Sequence, residues 1–163
     1  MEFINPFAVI VASLSTFLVG FVWYNPAVFG TIWMKETGMT HEKAQKSNML
    51  KIFGLTFIFS ILVAFMVSTM VIHQLGALAL VGGPSKVATA LPSYLQFMND
   101  YKNEFRTFHH GALHGFLVGI AFIFPITAIN SLFENKSWKY ILITSGYWIV
   151  SLTIMGAIIC GWQ

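Results

Sequence analysis

Charged residues are scarce in this chain. Only 9% of its 163 residues are Asp, Glu, Lys or Arg, whereas 56% are hydrophobic. A soluble globular domain has roughly 25% charged residues, so a water-soluble fold of this composition would lack the side chains needed to cover its surface. No hydrophilic block is large enough to form a second domain. The composition therefore predicts one integral membrane domain over residues 1–163.

Several chemical signatures are also absent. Cys160 is the single cysteine, which excludes an intrachain disulfide and CxxC redox chemistry. The chain has no G-x-S-x-G elbow, no Gly-rich phosphate loop followed by Lys, and no H-E-x-x-H. These absences argue against an enzyme without excluding one, and no catalytic residue is nominated.

The chain contains long apolar runs. Four runs, at residues 6–24, 52–72, 111–131 and 140–160, contain no Asp, Glu, Lys or Arg. Crossing a hydrocarbon core takes about 20 helical residues, and a helix satisfies its own backbone hydrogen bonds in lipid. The runs predict an all-α, polytopic membrane protein with a bundle of four transmembrane helices.

The first apolar run is interpreted as a retained helix. No Lys or Arg precedes it, and the run ends at Trp23-Tyr24-Asn25-Pro26 rather than at a small-residue cleavage site. Residues 29–34 then suggest a short interfacial turn or helix that ends at Gly38. Thr40 is the expected N-cap of a long second helix that continues into the membrane.

The longest loop, at about residues 76–108, carries an amphipathic pattern after Pro92. Apolar residues recur every three or four positions, at Tyr94, Met98, Tyr101, Phe105 and Phe108. Polar residues fall on the opposite face, at Gln96, Asn99, Asn103, Arg106 and His110. This pattern predicts an amphipathic helix before the third span, which either lies in the interface or continues into that span.

The distribution of Lys and Arg predicts the orientation. Six cations border the first and third loops, at Lys35, Lys43, Lys46, Lys51, Lys136 and Lys139, and three lie in the second, at Lys86, Lys102 and Arg106. The positive-inside rule then places both termini outside the cytoplasm. The net charge of +3 indicates no nucleic-acid partner, because these cations lie beside helix ends where anionic lipid headgroups attract them.

Three histidines form the candidate metal site. His110 and His114 are spaced i, i+4 and project from one helix face, and His73 ends the second span on the same side of the membrane. Such nitrogens can bind zinc or another divalent metal, with Glu2 as a possible carboxylate ligand. The alternatives are interfacial histidines that bind water or backbone, and histidines with a proton-linked or ligand-contacting role.

Glycines on the third span predict a helix contact. Gly111, Gly115 and Gly119 are spaced by four residues, which leaves a flat face where another helix backbone can approach closely in lipid. The contact lies either within the monomer or between protomers. Four helices are too few to enclose a wide pathway, so transport would require a homo-oligomer with this face at or near the contact.

Aromatic and polar residues collect at the opposite, cytoplasmic end and form a candidate ligand-binding group. The residues are Trp23, Tyr24, Asn25, Trp33, Asn130 and Glu134. Aromatic walls with a few amides and carboxylates are typical of ligand pockets. The alternative is an ordinary aromatic belt at the membrane interface.

The chain resembles a known family at both ends. The residues that carry the resemblance are Gly20-Phe21-Val22-Trp23-Tyr24-Asn25-Pro26, Phe29-Gly30-Thr31-Ile32-Trp33-Met34 with Gly38, residues 130–137 (NSLFENKS), Gly146-Tyr147, Gly156 and Trp162. Together they resemble the bacterial membrane family catalogued as domain of unknown function 1761, over about residues 6–162. The resemblance implies four helices, a bacterial inner membrane and no assigned activity. It assigns no role to the histidines of the second loop.

Three functions remain open from the sequence. The first is a homo-oligomer that binds or permits passage of a lipid, ion or small molecule through the histidine group or the aromatic group. The second is a non-enzymatic accessory or structural subunit of a larger membrane complex. The third is a membrane protein that binds metal through its histidines. The lipid bilayer is the partner common to all three.

Overall fold

The computed structural model describes residues 3–163. It is 80% helical, and these residues contain no β-strand. Four helical segments are long and apolar enough to cross a membrane: Pro6–Trp23, Met49–Val71, Phe108–Phe133 and Trp138–Gly161. The predicted all-α class with four membrane-spanning helices is therefore confirmed.

The helices follow one another with short connections. In chain order they are α1 (Pro6–Trp23), α2 (Gly30–Thr37), α3 (His41–Gln45), α4 (Met49–Val71), α5 (His73–Leu80), a 3₁₀ helix (Pro84–Thr89), α6 (Pro92–Tyr101), α7 (Phe108–Val118), a π-helical turn (Gly119–Ile123), α8 (Phe124–Phe133) and α9 (Trp138–Gly161). The first, second and fourth spans are α1, α4 and α9. The third span consists of α7, the π-helical turn and α8.

Capping side chains set where the later spans begin. Asn48, Thr107 and Ser137 each accept a hydrogen bond from a backbone N–H of the first turn that follows. Such a cap satisfies a donor that has no partner within the helix. The three spans consequently start two or three residues before the apolar runs that predicted them.

Helix α9 lies at the centre of the bundle. It packs against α1, α4, both halves of the third span and α2. Leu152, Met155 and Ile159 of α9 are fully buried, together with Ala12 of α1 and Ala64 of α4. Large apolar side chains on the outward faces of the spans are exposed, as a lipid-facing surface requires. Helix α9 thus fills the interior of the bundle.

One predicted continuity is wrong, and one open alternative is decided. Thr40 does cap a helix, but α3 ends at Gln45, and α4 starts separately at Met49 under its own Asn48 cap. The amphipathic helix is the separate helix α6, which ends at Tyr101, and it does not continue into the third span, because α7 begins at Phe108. The predicted short helix after the first span is present as α2, and it ends at Gly38 in the left-handed conformation, with φ 66°, which glycine adopts without steric cost.

The π-helical turn lies directly before a proline. The N–H of Phe124 donates to the carbonyl of Gly119, five residues earlier, and Pro125 follows. Proline has no N–H and its ring clashes with the preceding turn of an α-helix. A wider turn at this position lets the third span continue past Pro125.

Candidate metal centre

The ends of the second and third spans bring three histidines together. Helix α4 ends at Val71, and the extended Ile72 separates it from α5, which starts at His73. His110 and His114 lie on the first two turns of α7, so their imidazoles project from the same helix face. His73 is exposed, whereas His110 and His114 are half-buried.

The three imidazoles are close enough to share one ion. One nitrogen from each ring lies within 4.8 Å of the other two, and the Nε2 atoms of His73 and His110 are 2.9 Å apart. The ring centroid of His114 is 4.9 Å from that of His73 and 4.4 Å from that of His110. A hydrogen bond between His73 and His110 requires at least one neutral ring, because His⁺ has no acceptor.

These distances are compatible with tetrahedral coordination. Zinc–nitrogen bonds of about 2.0–2.1 Å place two ligating nitrogens about 3.3 Å apart at the tetrahedral angle. The 2.9 Å pair would separate slightly, and the other pairs would close by small side-chain rotations. No Asp, Glu or Cys joins this group within residues 3–163. Glu2, the carboxylate considered from the sequence, lies outside the described residues.

Phe105 forms an aromatic wall beside the histidines. Its ring centroid is 5.0 Å from that of His110 and 6.4 Å from that of His73. The residue has φ 59°, a left-handed conformation that is rare for a bulky side chain. Backbone strain of this kind clusters at functional sites, and here it occurs next to the candidate ligands.

Arg106 fixes the turn that carries Phe105. Its Nε donates to the carbonyl of Cys160, at 3.2 Å, and its Nη1 donates to the carbonyl of Phe3, at 3.1 Å. The side chain is buried, with 7% exposed, and this burial lowers the pKa of the guanidinium from its usual value. The cation lies at the C-terminal end of α9, where the helix dipole favours positive charge.

The sequence pattern misplaced Arg106. The pattern predicts that Arg106 lies on the polar face of an amphipathic helix, yet the residue lies buried in a turn between α6 and α7. The available signal was its position five residues before the apolar run at 111–131, close to the membrane, where a charged residue is expected to have a specific partner. Its partners could not be identified because they lie 103 and 54 residues away in the chain.

The glycine face of α7 packs against α9. A Cβ atom on Gly111 would lie 2.0 Å from the carbonyl oxygen of Gly156, and one on Gly115 would lie 2.0 Å from that of Leu152. A Cβ on Gly119 would lie 2.8 Å from the Cα of Ile149. The contact is therefore within the monomer. A second copy could not use this face without displacing α9.

The aromatic residues at the opposite end pack mainly on one another. The Trp23 indole N–H donates to the carbonyl of Ile143 at 3.0 Å, and its ring lies 4.6 Å from that of Phe29. The Tyr24 ring lies 5.3 Å from both Trp33 and Tyr147. Burial raises the pKa of the Tyr24 phenol above its usual value, and the nearby Tyr147 and Tyr140 raise it further.

The polar members of this group are placed separately from one another. Asn25 accepts a hydrogen bond from the backbone N–H of Ala27, within the turn after α1. Asn130 is exposed on α8, and Glu134 is exposed at the C-terminal cap of that helix. The six residues are thus distributed over a packed aromatic group, a turn and an exposed helix end.

Comparison with known proteins identifies the family. No curated protein and no solved structure matches this chain. A family model described as "Protein of unknown function (DUF1761)" matches residues 7–160, which confirms the resemblance drawn from the two ends of the sequence. The chain therefore belongs to the DUF1761 family of proteins of unknown function.

Proposed function

We propose that this protein is an integral membrane protein that binds a divalent transition metal ion, with Zn²⁺ as the first candidate, through His73, His110 and His114. One observation carries the proposal: nitrogen atoms from three histidines on two helices lie within 4.8 Å of one another. His73 is 37 residues from His110 in the chain, so its position follows from the fold and not from local spacing.

The ligand set favours a borderline transition metal. Neutral imidazole binds zinc, copper, nickel and iron well, whereas Ca²⁺ and Mg²⁺ require oxygen ligands. Three protein ligands leave a fourth tetrahedral position for water or substrate, which is the arrangement of open zinc sites rather than of closed structural ones. Because His73 is exposed, we expect solvent to reach that position.

The proposal places the site on the non-cytoplasmic face of a bacterial inner membrane. Most loop cations, including Lys43 and Lys46, lie beside the other ends of the spans, and cytoplasmic loops carry the excess of Lys and Arg. Both termini are then on the same side as the histidines. Because α9 fills the interior of the bundle, we propose binding at the membrane surface rather than permeation through the monomer.

Metal content and zinc affinity test the proposal. Protein purified in detergent and stripped with a chelator should bind one Zn²⁺ per chain in a calorimetric titration. The double variant His110→Ala/His114→Ala should lose at least 100-fold in affinity, because two of the three ligands are removed. Affinity should fall at acidic pH, because protonated imidazole cannot coordinate the ion.

His109→Ala is the matched control, because His109 is an exposed neighbour on the same helix and is not a member of the group. This variant should bind zinc as the wild type does. Equal zinc stoichiometry and affinity in the wild type and in the double variant would refute the site.

A further inference from the structure

A second feature at the same end of the bundle is an open cleft of about 450 Å³. It lies between α5, the 3₁₀ helix and α6. Its lining is predominantly apolar, and includes Phe3, Leu78, Val87, Leu95 and Met98. Lys102 contributes a cation to the lining. The volume falls within the range of small-molecule sites, about 300–1,000 Å³.

Few contacts hold α6 against the rest of the chain. It packs only sparsely on the other helices, and its C-terminal end is held by Gln74, whose side-chain amide donates to the carbonyls of Tyr101 and Glu104 at 2.9 and 3.0 Å. Leu95 and Phe97 of α6 are about half exposed. The amphipathic helix thus keeps an apolar surface that the protein itself does not cover.

The position of the cleft indicates what covers this surface. Phe3 precedes the first span, α5 follows the second span after one residue, and α6 is joined by a short turn to the third. The cleft therefore lies where three spans leave the membrane. This is the boundary between hydrocarbon and water, at which lipid glycerol and phosphate groups are found.

The charge of the cleft indicates the kind of lipid. Lys102 is exposed, and it forms no ion pair within residues 3–163. A lysine ammonium on a flexible stem can reach a phosphate while its methylene groups remain on apolar surface. The apolar lining provides the matching site for an acyl chain.

We propose that this cleft binds an anionic phospholipid, with one acyl chain along the lining of α5 and α6 and the phosphate paired with Lys102. The proposal is independent of the histidine site and does not require a metal ion.

Photocrosslinking tests the acyl-chain part. The protein is placed in nanodiscs that contain phosphatidylglycerol with a photoactivatable acyl chain, and the labelled peptides are identified by mass spectrometry. We expect labels concentrated in residues 78–98, well above those on the exposed faces of α1 and α4. Leu78→Trp, which fills the cleft, should reduce this labelling at least five-fold.

Leu80→Trp is the matched control, because Leu80 is on the same helix, is 90% exposed and does not line the cleft. It should label as the wild type does. Leu95→Gln makes a half-exposed part of the lining polar without adding bulk, and it should also reduce labelling. Uniform labelling of all apolar surfaces, or equal labelling in Leu78→Trp, Leu95→Gln and Leu80→Trp, would overturn the proposal.

Native mass spectrometry in detergent tests the headgroup part. Phosphatidylglycerol should remain bound at lower concentration than phosphatidylcholine of the same chains. Lys102→Gln should weaken phosphatidylglycerol binding about five-fold, whereas Lys86→Gln, which changes a cation outside the lining, should not. Equal binding of the two lipids would refute the proposal. A dimer that forms without lipid and that Leu78→Trp abolishes would show that a second copy of the chain occupies the cleft, and it would refute the proposal as well.

Discussion

Replacing Gly115 with alanine should separate the third and fourth spans. The added Cβ atom would lie 2.0 Å from the carbonyl oxygen of Leu152 and 3.0 Å from the Cα of Thr153. Ordinary van der Waals contacts begin at 3.4 Å, and the obstacle is backbone that no side-chain rotation can remove. Helix α7 would therefore have to move away from α9 by about 1 Å or more.

This movement should cost about 3 kcal/mol in the free energy of unfolding. Overpacking usually costs about 1–3 kcal/mol, and a rigid backbone contact belongs at the upper end of that range. The separation of α7 from α9 also weakens the dispersion contacts that hold helices together in lipid. For a chain of this size, such a loss corresponds to a decrease in melting temperature of roughly 6–12 °C.

Thermal unfolding in detergent, followed by circular dichroism, measures the effect. Gly54→Ala is the matched control, because nothing lies within 4 Å of a Cβ at Gly54 of α4. That variant should be unchanged or more stable by up to about 1 kcal/mol, since alanine favours helix. A melting temperature for Gly115→Ala equal to or above that of Gly54→Ala would refute the packing argument.

Two further predictions concern single polar groups. Arg106→Lys should destabilise the protein by about 2 kcal/mol in the same assay. A single ammonium cannot reproduce the directed hydrogen bonds from the guanidinium to the carbonyls of Cys160 and Phe3. Unchanged stability of this variant would contradict the structural role of Arg106. The raised pKa of Tyr24 means that the folded state holds the phenol proton more tightly than the unfolded state. Its contribution to stability is therefore complete below about pH 10 and decreases as the pH rises above that value. Tyr24→Phe should reduce this loss of stability at alkaline pH, as measured by unfolding at a series of pH values. Identical stability–pH profiles for the variant and the wild type would refute the assignment.

The four transmembrane helices could be predicted because the length and composition of the apolar runs determine where they form. An apolar run of about 20 residues has no other stable conformation in lipid, and the four runs correspond to four observed helices. The break at Ser47 and Asn48 was missed because those residues fit a polar helical turn as well as a new cap. Which of the two forms depends on tertiary packing rather than on the local sequence.

The histidine group was predictable in part. The spacing of His110 and His114 is local, and the loop connection places His73 on their side of the membrane. The distances among them, the strained Phe105 and the role of Arg106 depend on contacts between residues far apart in the chain. The glycine spacing indicated a helix contact, but it could not distinguish α9 from a second protomer, because both would present a similar surface.

The π-helical turn at Gly119–Ile123 shifts the rotational phase of α8 relative to α7. A residue added to or removed from an α-helix rotates everything beyond it by about 100°, and the wide turn already contains such an offset. Deleting one residue there should therefore rotate α8 by about 100° relative to α7, which carries His110 and His114. Because both halves pack against α9, this one turn decides which faces of α7 and α8 meet that helix.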